Sequence, residues 1–203
     1  MKLGLKTPVA LAILNLLHER PMHPYEMRRL MQERAHDAVI NLNVGSLYST
    51  IARLASAGLI EALRTSREGR RPERTVYTIT TAGREELLGW LRELLARPAH
   101  EYPWFGAALA FLAALPPDDV LDLLTQRATL LETELGAAQG AASAMTQRGV
   151  PRLFGVEDEY AQAMRRAELA WVRQVVDDIQ GGRLTWPPEA LAVHATLAQA
   201  HHP

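Results

Sequence analysis

The stretch Gly45-Ser46-Leu47-Tyr48-Ser49-Thr50-Ile51-Ala52-Arg53-Leu54-Ala55-Ser56-Ala57-Gly58 decides the fold. It follows a turn-like run, Asn41-Leu42-Asn43-Val44-Gly45, opens as a helix at Ser46 and closes at Gly58, the residue type favoured just past a helix end. At about 100° per residue, Leu47, Ile51, Leu54 and Ala55 fall on one face. Ser49, Arg53 and Ser56 point away from it, Ser46 and Ala52 flank it, and Tyr48 stands at the border. The outer face is therefore small, polar and cationic. Small side chains let a helix sink into a DNA major groove, hydroxyls bond phosphates or base edges, and an arginine reaches guanine or a phosphate. Asn43, in the turn that precedes the helix, joins these candidates for DNA contact.

Working outward, Leu59 to Leu63 and Thr75 to Thr80 are β-prone runs, the second alternating with period two. Between them lies a Gly/Pro-marked loop with five arginines, Arg64, Arg67, Arg70, Arg71 and Arg74. A solvated charged loop explains this segment taken alone. After three helices it reads instead as a wing, whose arginines lie along phosphates or enter the minor groove. The two earlier helices are marked by their starts. Thr7-Pro8 opens the first, with Val9, Ile13, Leu16 and Leu17 at helical spacing to about Glu19, and Arg20-Pro21 stops it. His23-Pro24 opens the second, with Tyr25, Met27, Leu30 and Met31 through about Arg34. The expectation is a mainly α chain with an N-terminal winged helix-turn-helix at residues 1–83 and an α-helical dimerisation region at 84–203.

His23-Pro24-Tyr25-Glu26, Gly45-Ser46-Leu47-Tyr48, Leu54, Gly58-Leu59-Ile60, Gly69-Arg70-Arg71-Pro72 through Val76-Tyr77, and Thr81-Ala82-Gly83 together resemble a PadR-type regulator. The resemblance runs in order from about Thr7 to Leu95. Pro24 departs from the glycine usual in that family, and proline suits the first helical position. The resemblance implies that His23, Tyr25, Ser46, Tyr48 and the wing arginines lie at DNA. It further implies a repressor, C-terminal helices that dimerise, and release from DNA by phenolic or drug-like compounds.

Beyond the wing, a helix with Leu87, Leu88, Leu91, Leu94 and Leu95 runs from Thr81 to Arg97-Pro98 as a connector. A second apolar helix spans Glu101 to Leu115, and Asp118-Asp119 begins a long one. In the long helix, Val120, Leu123 or Leu124, Ala128, Leu131, Leu135, Ala138, Ala142 and Met145 form a narrow seam. After Gly149-Val150-Pro151, a second seam comprises Tyr160, Met164, Ala167, Trp171, Val175 and Ile179. The two seams can pair within one chain or between two. Exchange between two chains is favoured because dimeric readers gain specificity from two half-sites. The candidate dimerisation residues are Leu124, Leu131, Leu135, Met164, Trp171 and Val175. The four tryptophans, Trp90, Trp104, Trp171 and Trp186, all follow the wing. Tyr102, Trp104, Phe105 and Trp171 are candidates to hold a small aromatic or drug-like effector, against the alternative that they are plain core or interface anchors.

Charge distribution supports the division. Residues 1–83 carry 12 Lys+Arg against 7 Asp+Glu, and the remainder 10 against 16, within a net charge of -1. Phosphate contact needs local rather than total positive potential. A modest net charge also leaves open a winged helix that docks proteins without specific DNA binding. The chain has no cysteine, which excludes disulfides, thiolate metal sites and cysteine nucleophiles. No secretion signal is visible, and the longest apolar run, Ala107 to Leu115, is too short for a bilayer, so a cytoplasmic protein with no membrane contact is expected. The seven histidines lack the i,i+4 pair around a glutamate, and no Walker loop, nucleophile elbow or dinucleotide fingerprint occurs. Neither an enzyme nor a metal or other cofactor is expected. Glu157-Asp158-Glu159 fits a helix start, where carboxylates complement the dipole.

Overall fold

A computed structural model describes residues 5–34, 44–66, 74–99 and 101–191. The chain forms two compact units, Met1–His100 and Glu101–Pro203.

In the first unit, α1 (Pro8–Glu19) starts where the Thr7 hydroxyl accepts the Ala10 amide at 3.2 Å, with Pro8 in the first turn. Seven of its residues are buried, among them Ile13, Leu14, Leu16 and Leu17, so it is the central helix of the unit. Helix α2 (Pro24–Glu33) is capped by His23, whose Nδ1 accepts the Tyr25 amide at 3.1 Å, and it buries Met27 and Met31. Helix α3 (Val44–Ser56) begins two positions before the expected Ser46 and buries Leu47, Thr50, Ile51 and Leu54. Its end is a Schellman turn. Gly58 takes φ +72, its amide donates to the Ala55 carbonyl at 2.9 Å, and the Leu59 amide donates to the Leu54 carbonyl at 3.0 Å.

The turn feeds β1 (Ile60–Ser66), which pairs antiparallel with β2 (Arg74–Ile79) in the register Ile60 to Ile79, with a bulge between Ala62 and Arg64. A further edge, absent from the sequence reading, comes from Met22, which exchanges two 3.1 Å backbone hydrogen bonds with Tyr77 and ties the α1–α2 connection to the hairpin. Helix α4 (Thr81–Ala96) is capped by Thr80, whose hydroxyl accepts the Gly83 amide at 3.0 Å. A Cβ on Gly83 would stand 2.0 Å from the Leu59 carbonyl oxygen, so only glycine lets α4 lie this close to the hairpin. Leu87 and Trp90 of α4 are buried in the first core. The observed division at His100/Glu101 thus falls later than the boundary expected after residue 83, because α4 is a packed member of the first unit rather than a free connector.

In the second unit, the apolar run expected as one helix over Glu101 to Leu115 is broken into α5 (Trp104–Ala110) and a 3-10 turn at Leu112–Ala114. Leu115 is extended, as a residue before proline must be. Helix α6 (Pro117–Gln147) and helix α7 (Val156–Gln180) form a hairpin. Leu124, Leu131 and Leu135 are buried there with Leu169 and Val172, so the α6 seam packs against α7 within the chain. The α7 seam differs from the expected one. Leu169 and Val172 enter the core, with Val175, Val176 and Ile179 partly packed, while Tyr160, Met164 and Trp171 are exposed at 67%, 49% and 45%. Helix α7 carries two neighbouring apolar stripes, and the hairpin keeps Val175 and Ile179 of the expected one while centring on Leu169 and Val172. Arg127–Glu168, Glu132–Arg173 and Glu134–Arg165 pair across the helices at 2.5–3.0 Å. Trp186 closes the unit, its Nε1–H donating to the Leu115 carbonyl at 2.9 Å. No helix among the described residues is long and apolar enough to cross a membrane.

Candidate nucleic-acid interface

Burial of Leu47, Thr50, Ile51 and Leu54 fixes which side of α3 meets the core. Tyr48, Ser49, Ala52, Arg53 and Ser56 consequently remain exposed, Tyr48 at 51%, and Ser46 is half-buried. Ser49 Oγ donates back to the Ser46 carbonyl at 3.1 Å, which holds that hydroxyl against the helix. Arg53 lies along α3, its Nη2 donating to the buried Thr50 hydroxyl at 3.1 Å. That contact parks a flexible cation on the outer face without burying its charge. In α2, Tyr25 is 68% exposed directly after the His23 cap. A neutral imidazole that accepts the Tyr25 amide at Nδ1 carries its proton on Nε2, which makes the outer nitrogen a donor.

Several other cations of the first unit are matched by carboxylates. Arg20 Nη2 donates to Glu26 at 2.6 Å, which holds the Glu26 carboxyl below the usual carboxylate range and raises the Arg20 guanidinium further. Arg34 forks onto Glu19, and Arg29 meets Glu33 at 3.1 Å. Arg28, one turn after Tyr25, makes no ion pair among the described residues; the sequence reading passed over it, although its i,i+3 spacing from Tyr25 is a readable signal. Asn43, Arg67, Arg70 and Arg71 lie outside the described residues, as does the side chain of Arg74 at the start of β2.

Residues 13–88 match the model of the transcriptional regulator PadR-like family. The likeness to that family lies within the first unit. It is 24% identical over 147 residues to the negative transcriptional regulator PadR of Bacillus subtilis (strain 168), covering 72% of this chain and 80% of that one. Among solved structures, Bacillus subtilis PadR in complex with operator DNA shares the fold with a TM-score of 0.65 at 22% identity, over 83% of this chain and 97% of that one. The same regulator in complex with p-coumaric acid gives a TM-score of 0.68 at 20% identity, over 85% and 99%. The segment matched to the PadR-like family holds every candidate DNA contact, from His23 to Arg74.

The second unit contains an apolar cavity of about 370 Å³ between α5 and α6, walled by Phe105, Leu109, Phe111, Leu112 and Leu124 with Arg127 at its edge. The Arg127 guanidinium lies 3.6 Å over the Phe105 ring, and its Nε donates to Glu168 at 2.6 Å. Phe105 meets Trp171 edge-on, with centroids 6.0 Å apart. Of the aromatic residues selected from the sequence, Phe105 and Trp171 are thus brought together. Tyr102 and Trp104 stand exposed at 86% and 91% and do not line the cavity. No group of three His, Asp or Glu residues among those described is placed to hold a metal ion.

Proposed function

We propose that this PadR-like transcriptional regulator is a cytoplasmic, ligand-responsive repressor that binds an inverted-repeat operator as a homodimer. The observation that carries the reading is the outer face of α3, where Ser49, Ala52, Arg53 and Ser56 stand exposed because four neighbours on the opposite side are buried. Two such helices enter successive major grooves of half-sites about 34–36 Å apart, and the wing arginines add phosphate contact. His23 Nε2 and the Tyr25 and Tyr48 hydroxyls donate to the backbone on either side of the recognition helix. The exposed α7 stripe of Tyr160, Met164 and Trp171, left uncovered within the hairpin, supports pairing with a second copy.

The effector site of this reading is the cavity beside α5, whose apolar wall and single cation at the edge suit an aromatic carboxylic acid. The likeness to a PadR crystallised with p-coumaric acid supports that class. Occupation of the cavity shifts the population away from the spacing that fits DNA.

Selection from a random-sequence DNA library, followed by binding of the best sequence at several salt concentrations, tests the reading. An enriched inverted repeat with a steep salt slope is expected. Replacing Arg53 by alanine should weaken the selected site by about 1–3 kcal/mol, if Arg53 reads a base, and relax specificity at one position. Failure to enrich any sequence would move the assignment to a winged helix that docks proteins. Quenching of tryptophan fluorescence by p-coumaric acid, lost in Arg127→Ala, tests the effector site, and an unchanged response in that variant removes Arg127 from it.

A further inference from the structure

The turn between α6 and α7 encloses a second cavity, of about 410 Å³, within the size range of about 300–1,000 Å³ typical of small-molecule sites. Its lining combines Met145 and Val150 with Arg152, Asp158, Glu159 and Gln162. Nothing in the DNA-binding or effector reading uses these residues.

Gln162 is the unusual member. It is only 5% exposed, one of two buried polar residues among those described. Its Oε1 accepts from Arg166 Nη2 at 2.8 Å, and an arginine can only donate, so the carboxamide orientation is fixed. The Nε2 donor pair is left without a hydrogen-bond partner among the described residues. Buried amide donors are normally matched, and a ligand acceptor would match this one. The acidic residues supply the second requirement. Glu159 is held in a fork by Arg152, with Nε to Oε1 at 2.8 Å and Nη2 to Oε2 at 2.7 Å, so those two charges cancel locally. Asp158 has no ion pair among the described residues, leaving the cavity mouth with one unmatched negative charge. Placement at the start of α7 accounts for the carboxylates, but it does not account for a buried carboxamide with idle donors.

We infer that this cavity binds a small organic cation that carries a hydrogen-bond acceptor on an apolar body. The acceptor meets Gln162 Nε2, the body lies on Met145 and Val150, and the cationic end faces Asp158. An anion of the same shape is rejected by Asp158.

Isothermal titration of the full chain with procainamide tests the inference, since that molecule joins an amide carbonyl, an aromatic body and a tertiary ammonium. p-Aminohippurate, which keeps the ring and amide but ends in a carboxylate, is the control. Saturable binding of procainamide is expected, with no binding of p-aminohippurate and an affinity at least about tenfold weaker in both Asp158→Asn and Gln162→Leu. The thermal midpoint of Gln162→Leu should be no lower than that of the parent, because an unmatched donor pair is removed. Absence of saturable heat at millimolar procainamide, equal affinity for the anion, or unchanged affinity in Asp158→Asn would each overturn the site. A destabilised Gln162→Leu that binds procainamide as the parent does would also overturn it, by showing that the donors are matched within the fold.

Discussion

Ile13, Leu16, Met27, Leu47, Leu54, Ile60 and Leu87 come from α1, α2, α3, β1 and α4, and none is more than 2% exposed. Among its described residues the second unit has no comparable centre: the buried side chains follow one line between α6 and α7, with Trp186 at the end. On either side of that line, Phe111, Tyr160, Met164 and Trp171 remain open at 45–75%. A unit built from several directions closes its core within one chain, whereas a two-helix hairpin has more apolar faces than neighbours to cover them. The first unit is thus a rigid platform for a reading helix, and the second retains surface for another molecule.

The comparison breaks first at the closest approach in the first unit. Gly83→Ala places a methyl 2.0 Å from a backbone oxygen that cannot rotate away, so α4 must move off the hairpin. A loss of about 3 kcal/mol or more is expected, on the order of 10 °C in the thermal midpoint by circular dichroism. Gly89→Ala, on the same helix with nothing within 4 Å, is the control and should gain up to about 1 kcal/mol. Equal behaviour of the two variants would mean that α4 is not docked on the wing hairpin.

The next effect belongs to the open face. Met164→Lys puts a charge on the uncovered α7 stripe without touching the buried line. Sedimentation should show the proposed homodimer dissociating at concentrations at least about tenfold higher, a change of about 1.4 kcal/mol, with the first unit's unfolding unaltered. If the variant assembles as the parent does, the partner lies elsewhere. A smaller change tests the end of the line in the same unit. Trp186→Phe keeps the ring packed but removes the donor to the Leu115 carbonyl, for a loss of about 1 kcal/mol by chemical denaturation.

How much of this was legible follows the same division. The elements of the first unit are announced by local chemistry, since Thr7-Pro8, His23-Pro24 and Gly58 act on their own backbone and need no distant partner. The Met22 to Tyr77 bridge was not legible, because one residue pair has no periodicity to read. In α7, Tyr160, Met164 and Trp171 and the set Leu169, Val172 and Val176 are both apolar stripes at helical spacing, and only the packing partner selects between them. The exposed face of α3 follows from its buried one, so Ser49 and Arg53 were readable from sequence. Their hydrogen bonds to Ser46 and Thr50 were not, since rotamers depend on neighbours that spacing does not specify.

The smallest effect concerns how each unit uses its ion pairs. In the second unit three of them bridge α6 and α7, whereas in the first Glu26 masks Arg20 beside the capped start of α2. The hydrogen bond from Arg20 lowers the Glu26 carboxyl, so the folded chain protonates it at lower pH than the unfolded chain does. The contribution to stability is therefore present above the unfolded value of about 4.3 and is lost as pH falls through the lowered folded value. The pair is open to solvent, so Glu26→Gln should reduce the thermal midpoint only slightly at neutral pH and not at all in acid, where both chains carry a neutral side chain. The same substitution frees a guanidinium next to Tyr25 and His23. Low-salt affinity for nonspecific DNA should rise and the salt slope steepen by up to one released counterion, whereas Glu132→Gln, which frees Arg173 in the second unit, should leave DNA binding unchanged. Equal responses from the two variants would mean that the positive field at the DNA is not confined to the first unit.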